Sequence, residues 1–186
     1  IKNNKSVLLN NKTQFPKLKN KKISAIAFGA STGGPRVLYD VITKLPKDLN
    51  VPVFVVQHMP AGFTKAFAER LNNNSALTVV EAEQGELIRE NTVYIAPGGY
   101  HMLIKGKNIE LDTSPQVHGV RPAVDKLFIS ASKIYKDKLL CCVFTGMGKD
   151  GAEGVKACKA MEGFVIAQDE ATSTIYGMPK AAYETG

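Results

Sequence analysis

The chain has 186 residues, 44% hydrophobic and 22% charged, with a formal charge of +7, which is the composition of one ordinary globular domain and not of a disordered or membrane-embedded chain. The positive charge is local: residues 1 to 22 carry seven lysines and no acid, and the rest is formally neutral, its basic residues matching its 17 acidic ones. That distribution argues against a broad nucleic-acid-binding face, and no apolar run approaches the roughly 18 residues of a membrane span.

Residues 1 to 22, rich in Lys and Asn, read as a basic flexible linker or tail, and residues 23 to 186 as one domain. The first residues lack a signal peptide's order of charge, apolar core and small-residue cleavage site, so the expectation is a soluble, cytoplasmic protein. From Ile23 onward, short β-branched runs alternate with amphipathic helical segments, the pattern of βα units around a mainly parallel sheet. The strand-like runs are Ile23 to Phe28, Val51 to Val56, Leu77 to Glu81, Thr92 to Ala96, Lys138 to Thr145 and Gly163 to Ala167. Helical spacing puts Val37, Leu38, Val41, Ile42 and Leu45 on one apolar face, and Val124, Leu127, Phe128, Ala131 and Tyr135 on another. Between them, His101 to Ile104 and Asn108 to Leu111 flank Lys105-Gly106-Lys107 and read as a β-hairpin attached to the sheet. The fold expected is α/β, Rossmann-like: a three-layer, doubly wound, mainly parallel sheet with an antiparallel hairpin element. Cys141 and Cys142 then point to opposite faces of a strand and Cys158 lies in a helix. Three thiols without metal-ligand spacing suit a reducing compartment, as buried inert cysteines and not as nucleophiles.

Sites in open α/β sheets form beyond the carboxyl ends of strands, and three polar residues follow strand-like runs there. Ser31 sits in Gly29-Ala30-Ser31-Thr32-Gly33, a G-x-S-x-G turn whose small neighbours leave the hydroxyl projecting above the sheet. The alternative is a plain βα turn, with Ser31 capping the next helix and Pro35 in its first turn. His58 follows Val51 to Gln57, as a catalytic base or as a buried, hydrogen-bonded histidine. Asp150 lies in Gly146-Met147-Gly148-Lys149-Asp150-Gly151, where it orients a histidine or caps the helix that starts near Gly151. A serine needs a base, imidazole titrates near neutrality, and a carboxylate fixes the imidazole's tautomer. His101 and His118 are alternative bases, although neither follows a parallel strand. No pair of the three histidines has zinc spacing. The rival reading is a dinucleotide site, because Gly146 to Gly151 also matches G-x-G-x-x-G and Asp169 lies near the distance of a ribose-binding acid. A non-catalytic binding module is a third.

Four motifs, GASTGGP at Gly29 to Pro35, QHMP at Gln57 to Pro60, RPAVDKLF at Arg121 to Phe128 and GMGKDGAEG at Gly146 to Gly154, are supported by AQDEATSTIYGMPKAA at Ala167 to Ala182. Through them the chain, from about Ile23 onward, resembles the catalytic domain of the CheB family of chemotaxis protein-glutamate methylesterases. The resemblance implies Ser31 as nucleophile, His58 as general base and Asp150 as its orienting carboxylate, with no cofactor and no metal. Oxyanion donors are expected among the backbone N–H groups of the two glycine-rich turns, with Met147 the candidate the resemblance implies and Thr32 a second contributor, and Arg121 of the family's motif either lines the substrate groove or forms a structural ion pair. The implied substrates are γ-glutamyl methyl esters, and in many members glutamines, on the cytoplasmic domains of methyl-accepting chemotaxis receptors, with no nucleic acid and no membrane insertion. It also implies a preceding phosphoacceptor receiver, which residues 1 to 22 are too few to form.

Overall fold

The computed structural model describes residues 22–186. The expected tail therefore lies, apart from Lys22, outside the described residues. In chain order, β1 (Ala25–Ala30) is followed by α1 (Gly34–Ile42), β2 (Val53–Gln57), α2 (Phe63–Asn72), β3 (Thr78–Glu81) and β4 (Thr92–Ile95). A hairpin of β5 (His101–Lys105) and β6 (Asn108–Asp112) comes next, then α3 (Val124–Tyr135), β7 (Leu139–Val143), α4 (Ala152–Ala160), β8 (Phe164–Ala167) and α5 (Met178–Tyr183).

Six of these strands form one sheet in the order β3-β4-β2-β1-β7-β8, every pairing parallel. A strand buried on both faces is apolar at every position, and β1, AIAFGA, is buried throughout. Alternation sends Ala25 and Ala27 to one side, with Phe54, Cys141, Val124, Phe128 and Val155. Ile26, Phe28 and Ala30 go to the other, with Leu38, Ile42, Val55, Leu71 and Cys142. Helices α1 and α2 thus cover one face and α3 and α4 the other, giving the three expected layers, and Cys141 and Cys142 lie in opposite layers.

β1 runs two residues nearer the turn than its apolar run suggests, through Gly29 and Ala30. The missing Cβ at Gly29 permits this, because a Cβ there would overlap the Val124 side chain. The hairpin differs in its attachment. It is a separate two-stranded sheet, held to α3 by the Ile104 N–H donating to Ser130 Oγ at 3.0 Å and to the 85–88 loop by the pairs Gly85 N to Ile109 O and Ile88 N to Lys107 O. The loop satisfies backbone groups that a sheet edge would otherwise have served.

Strand order reverses between β1 and β7: the chain leaves β1 for β2 on one side, and β7 for β8 on the other. The crevice beyond that reversal is where an open α/β sheet offers a site.

Candidate active site

Ser31 stands one residue past β1, in that crevice. Its N–H donates to Thr145 O at 3.0 Å, and its carbonyl accepts the Gly34 N–H at 2.8 Å, so the backbone of the turn is fixed while the side chain is left out of it. Gly33 takes φ +83 to enter α1, and α1 has no side-chain cap, so Ser31 does not spend its hydroxyl as a helix cap. A Cβ on Gly146 would lie 2.7 Å from Ser31 Cβ, so this glycine lets the loop after β7 close on the serine.

His58 is placed by register. Ala30 pairs with Gln57, and the His58 N–H donates to Ala30 O at 3.0 Å, so the serine and the histidine each follow the last paired residue of adjacent strands. The imidazole Nε2 lies 2.7 Å from Asp150 Oδ2, with the side chains 11% and 2% exposed. A carboxylate oxygen only accepts, so Nε2 carries the proton and Nδ1 is the basic nitrogen. This is the reverse of the serine-protease arrangement, in which the carboxylate takes Nδ1.

Asp150 does not cap α4, contrary to one sequence reading. Its Oδ2 accepts the Val124 N–H at 2.7 Å and its Oδ1 the Asp125 N–H at 2.9 Å, which are the free donors at the start of α3. Asp125 does the converse: its Oδ1 accepts the N–H groups of Gly151 and Gly154 at 2.9 and 2.8 Å, at the start of α4. The two helices thus exchange caps, and the exchange clamps Asp150 behind His58. Burial pushes the Asp150 carboxyl up, but the His58 hydrogen bond and the N–H groups of Asp125 and Val124 outweigh it and hold the group below its ordinary value. Burial raises Asp125, opposed by the Gly154 N–H and reinforced by the charge of Asp150. Of the two, Asp150 is the one whose ionised form its surroundings favour.

The other sequence-derived residues divide. His101 is fully buried, with Nδ1 accepting the Ala123 N–H and Nε2 donating to Pro115 O, both at 3.1 Å; it supports the hairpin and does not reach the crevice. His118 bonds Asp125 Oδ2 at 3.1 Å. The three histidines do not converge on one point, though His118, Asp125 and Asp150 offer ligand atoms within 4.8 Å of one another. The carboxylate oxygens there face N–H donors, a setting built for the carboxylates and unsuited to an added cation. Met147 is 70% exposed on the glycine loop, and Thr32, also exposed, follows Ser31. Arg121 donates through Nη1 to Thr113 O and Ser114 O at 2.6 and 3.0 Å, so among the described residues it holds backbone carbonyls and forms no ion pair. With Met59, Pro60, Gln116 and Pro122 it lines a cleft of about 260 Å³ beside His58. Larger hollows, of about 750 Å³ between α1 and the 168–174 loop and about 520 Å³ between the hairpin and α3, have no contact with His58. Proximity to the imidazole, and not volume, marks the cleft that matters.

The glycine loop also answers the dinucleotide reading. A pyrophosphate would need the N–H groups at the start of α4, and Asp125 already occupies two of them. A second carboxylate, Asp150, stands in the loop itself.

The CheB methylesterase family model matches residues 26–186. The chain belongs to that family. It is 62% identical over 165 residues to a protein-glutamate methylesterase/protein-glutamine glutaminase of Clostridium acetobutylicum, covering 88% of this chain and 48% of the relative. A relative of the same name from Pyrococcus horikoshii is 49% identical over 166 residues, covering 87% and 45%. The chain therefore spans about half the length of the curated relatives it matches. The crystal structure of the Thermotoga maritima CheB methylesterase catalytic domain superposes with a TM-score of 0.86 at 47% identity, covering 89% of each chain. Among the described residues, no helix is long and apolar enough to cross a membrane.

Gln57 and Asp125 lie within the QHMP and RPAVDKLF motifs, and their contacts emerge only in the fold. The available signal was a polar residue closing an apolar strand, and an acid one position from buried Val124 in an apolar helix.

Proposed function

We propose that residues 23 to 186 form the catalytic domain of a protein-glutamate methylesterase, preceded by a linker over residues 1 to 22, which hydrolyses γ-glutamyl methyl esters on the cytoplasmic domains of chemotaxis receptors. The observation that carries this reading is the His58 Nε2 to Asp150 Oδ2 hydrogen bond of 2.7 Å, one residue past β2 and beside the Ser31 turn.

In this mechanism Ser31 Oγ attacks the side-chain ester carbonyl and its proton passes to His58 Nδ1. Asp150, ionised and fixed by two N–H groups, stabilises the imidazolium through Nε2. The tetrahedral oxyanion collapses, and His58 returns the proton to the departing methoxide, which leaves as methanol. Water then attacks the acyl-enzyme by the same base, releasing glutamate and regenerating Ser31. Thr32 and Met147 supply backbone N–H donors to the oxyanion. Among the described residues neither amide is engaged by a backbone acceptor, and donors left free in the ground state are the ones available to developing charge. Arg121 lines the groove along which the receptor segment lies.

A glutamine side chain presents the same carbonyl with ammonia as leaving group, and the matched relatives carry glutaminase in their name, so deamidation is proposed for the same triad. The test is methanol release from methylated receptor by the wild type and by Ser31→Ala. The substitution removes the nucleophile and should lower the rate by about 10³-fold or more. Equal rates would sink the triad.

A further inference from the structure

We propose that Gln57 is a positioning residue that sets the distance between nucleophile and base. The inference rests on the assignment of Ser31 and His58 to those roles. Gln57 closes β2, is 2% exposed, and touches no reacting atom. Its Nε2 donates two hydrogen bonds, one to Ser31 O and one to His58 O, both at 3.0 Å. A single planar NH2 group therefore bridges the backbone of the two residues whose side chains exchange a proton.

The chemistry of the bridge is specific. Two carbonyl oxygens facing one another repel, and both are served only by a group with two donors and no charge at that point. A carboxylate would add a third set of lone pairs, and an apolar side chain would leave His58 O without a donor and Ser31 O with the Gly34 N–H alone. The neighbouring contacts leave little slack. Ala30 O already takes the His58 N–H and Thr145 O the Ser31 N–H, so each turn is anchored to its own strand partner, and Gln57 is the side chain that ties one turn to the other. Gly34 completes the arrangement, since any Cβ there would collide with Gln57 Oε1.

Among the described residues, Oε1 itself has no hydrogen-bond partner. An unpaired buried acceptor costs stability and offsets part of what the two Nε2 hydrogen bonds contribute. What Gln57 supplies is the fixed spacing of Ser31 and His58.

The experiment measures the rate at which a fluorophosphonate labels Ser31, a readout of the serine and its base that needs no receptor. Gln57→Met keeps an unbranched chain of similar length without donors, and Gln57→Glu keeps the shape with acceptors in place of donors. Misplacement of a reacting pair by about 1 Å costs on the order of 100-fold. Both variants should therefore label about 10- to 100-fold more slowly per folded molecule, and lower kcat similarly, with KM for methylated receptor changed by less than about threefold. A purely structural role would lower melting temperature and the labelled fraction, but not the rate constant of the molecules that label. Labelling of folded Gln57→Met or Gln57→Glu within about threefold of wild type would overturn the proposal. A wild type that fails to label at Ser31 would instead overturn the triad. Should neither variant fold, hydrogen exchange of the wild-type Gln57 side-chain NH2 decides: protection supports the bridge, and exchange at the rate of a free carboxamide refutes it.

Discussion

Asp150→Asn removes one charge and one acceptor from a carboxylate that three donors share. In the wild type Oδ2 accepts from His58 Nε2 and Val124 N, each at 2.7 Å, and Oδ1 accepts from Asp125 N at 2.9 Å. An asparagine can be seated in two ways. With its oxygen toward His58 and Val124, its NH2 meets the Asp125 N–H and leaves that donor unpaired. With its NH2 toward His58, the Val124 N–H is orphaned, and the imidazole must move its proton from Nε2 to Nδ1, the nitrogen that should receive the serine proton. One unsatisfied buried N–H costs about 1–3 kcal/mol, and relief of the repulsion between Asp150 and Asp125 offsets part of it. The net loss should be about 1–2 kcal/mol, or roughly 2–8 °C in a domain of this size. Loss of the correct tautomer and of the anion behind the imidazolium is far larger, a fall in kcat on the order of 10³ to 10⁴. Methanol release from methylated receptor and scanning calorimetry measure the two effects. A folded Asp150→Asn protein with kcat within about tenfold of wild type would show that the His58–Asp150 bond is a structural contact and not part of the machinery.

Asp125→Ala should destabilise by about 1–2 kcal/mol, the usual worth of a helix cap, because the Gly151 and Gly154 N–H groups lose their acceptor. Asp125→Asn keeps an oxygen for both donors and should lose less, so equal melting temperatures for the two variants would refute the cap exchange. His101 gives a pH effect. Burial pushes its pKa below the ordinary value, and only the neutral ring can accept from Ala123 while donating to Pro115. The unfolded chain takes up this proton at about pH 6.5, before the folded one does, so stability should fall as pH drops from about 6.5 toward the lowered folded value. His101→Gln should be less stable near neutrality but lose less on acidification; parallel melting curves against pH would contradict the assignment.

The six strands of the sheet, the two apolar helix faces and the strand-end position of Ser31, His58 and Asp150 were legible in the sequence, because period and small-residue turns are local properties. The partnership of those three was a matter of chemistry, since the sequence names a serine, a histidine and an aspartate without saying which histidine faces which acid. Tertiary structure decided that His101 is a buried prop and His118 the partner of Asp125, through contacts across 22 and 7 residues that no local pattern encodes. It also reassigned Asp150 from the helix it precedes in sequence to one that starts 26 residues earlier, because the free N–H groups of a helix start are served by whichever carboxylate packing brings there. The orientation of the imidazole, with Nε2 toward the acid, and the bridge from Gln57 to two turns that strand register brings side by side, arise only when β1, β2 and β7 lie together. Sequence by itself determined which residues could do the chemistry; packing determined their hydrogen-bond partners, because a donor is satisfied by what lies near it in space and not by what lies near it in the chain.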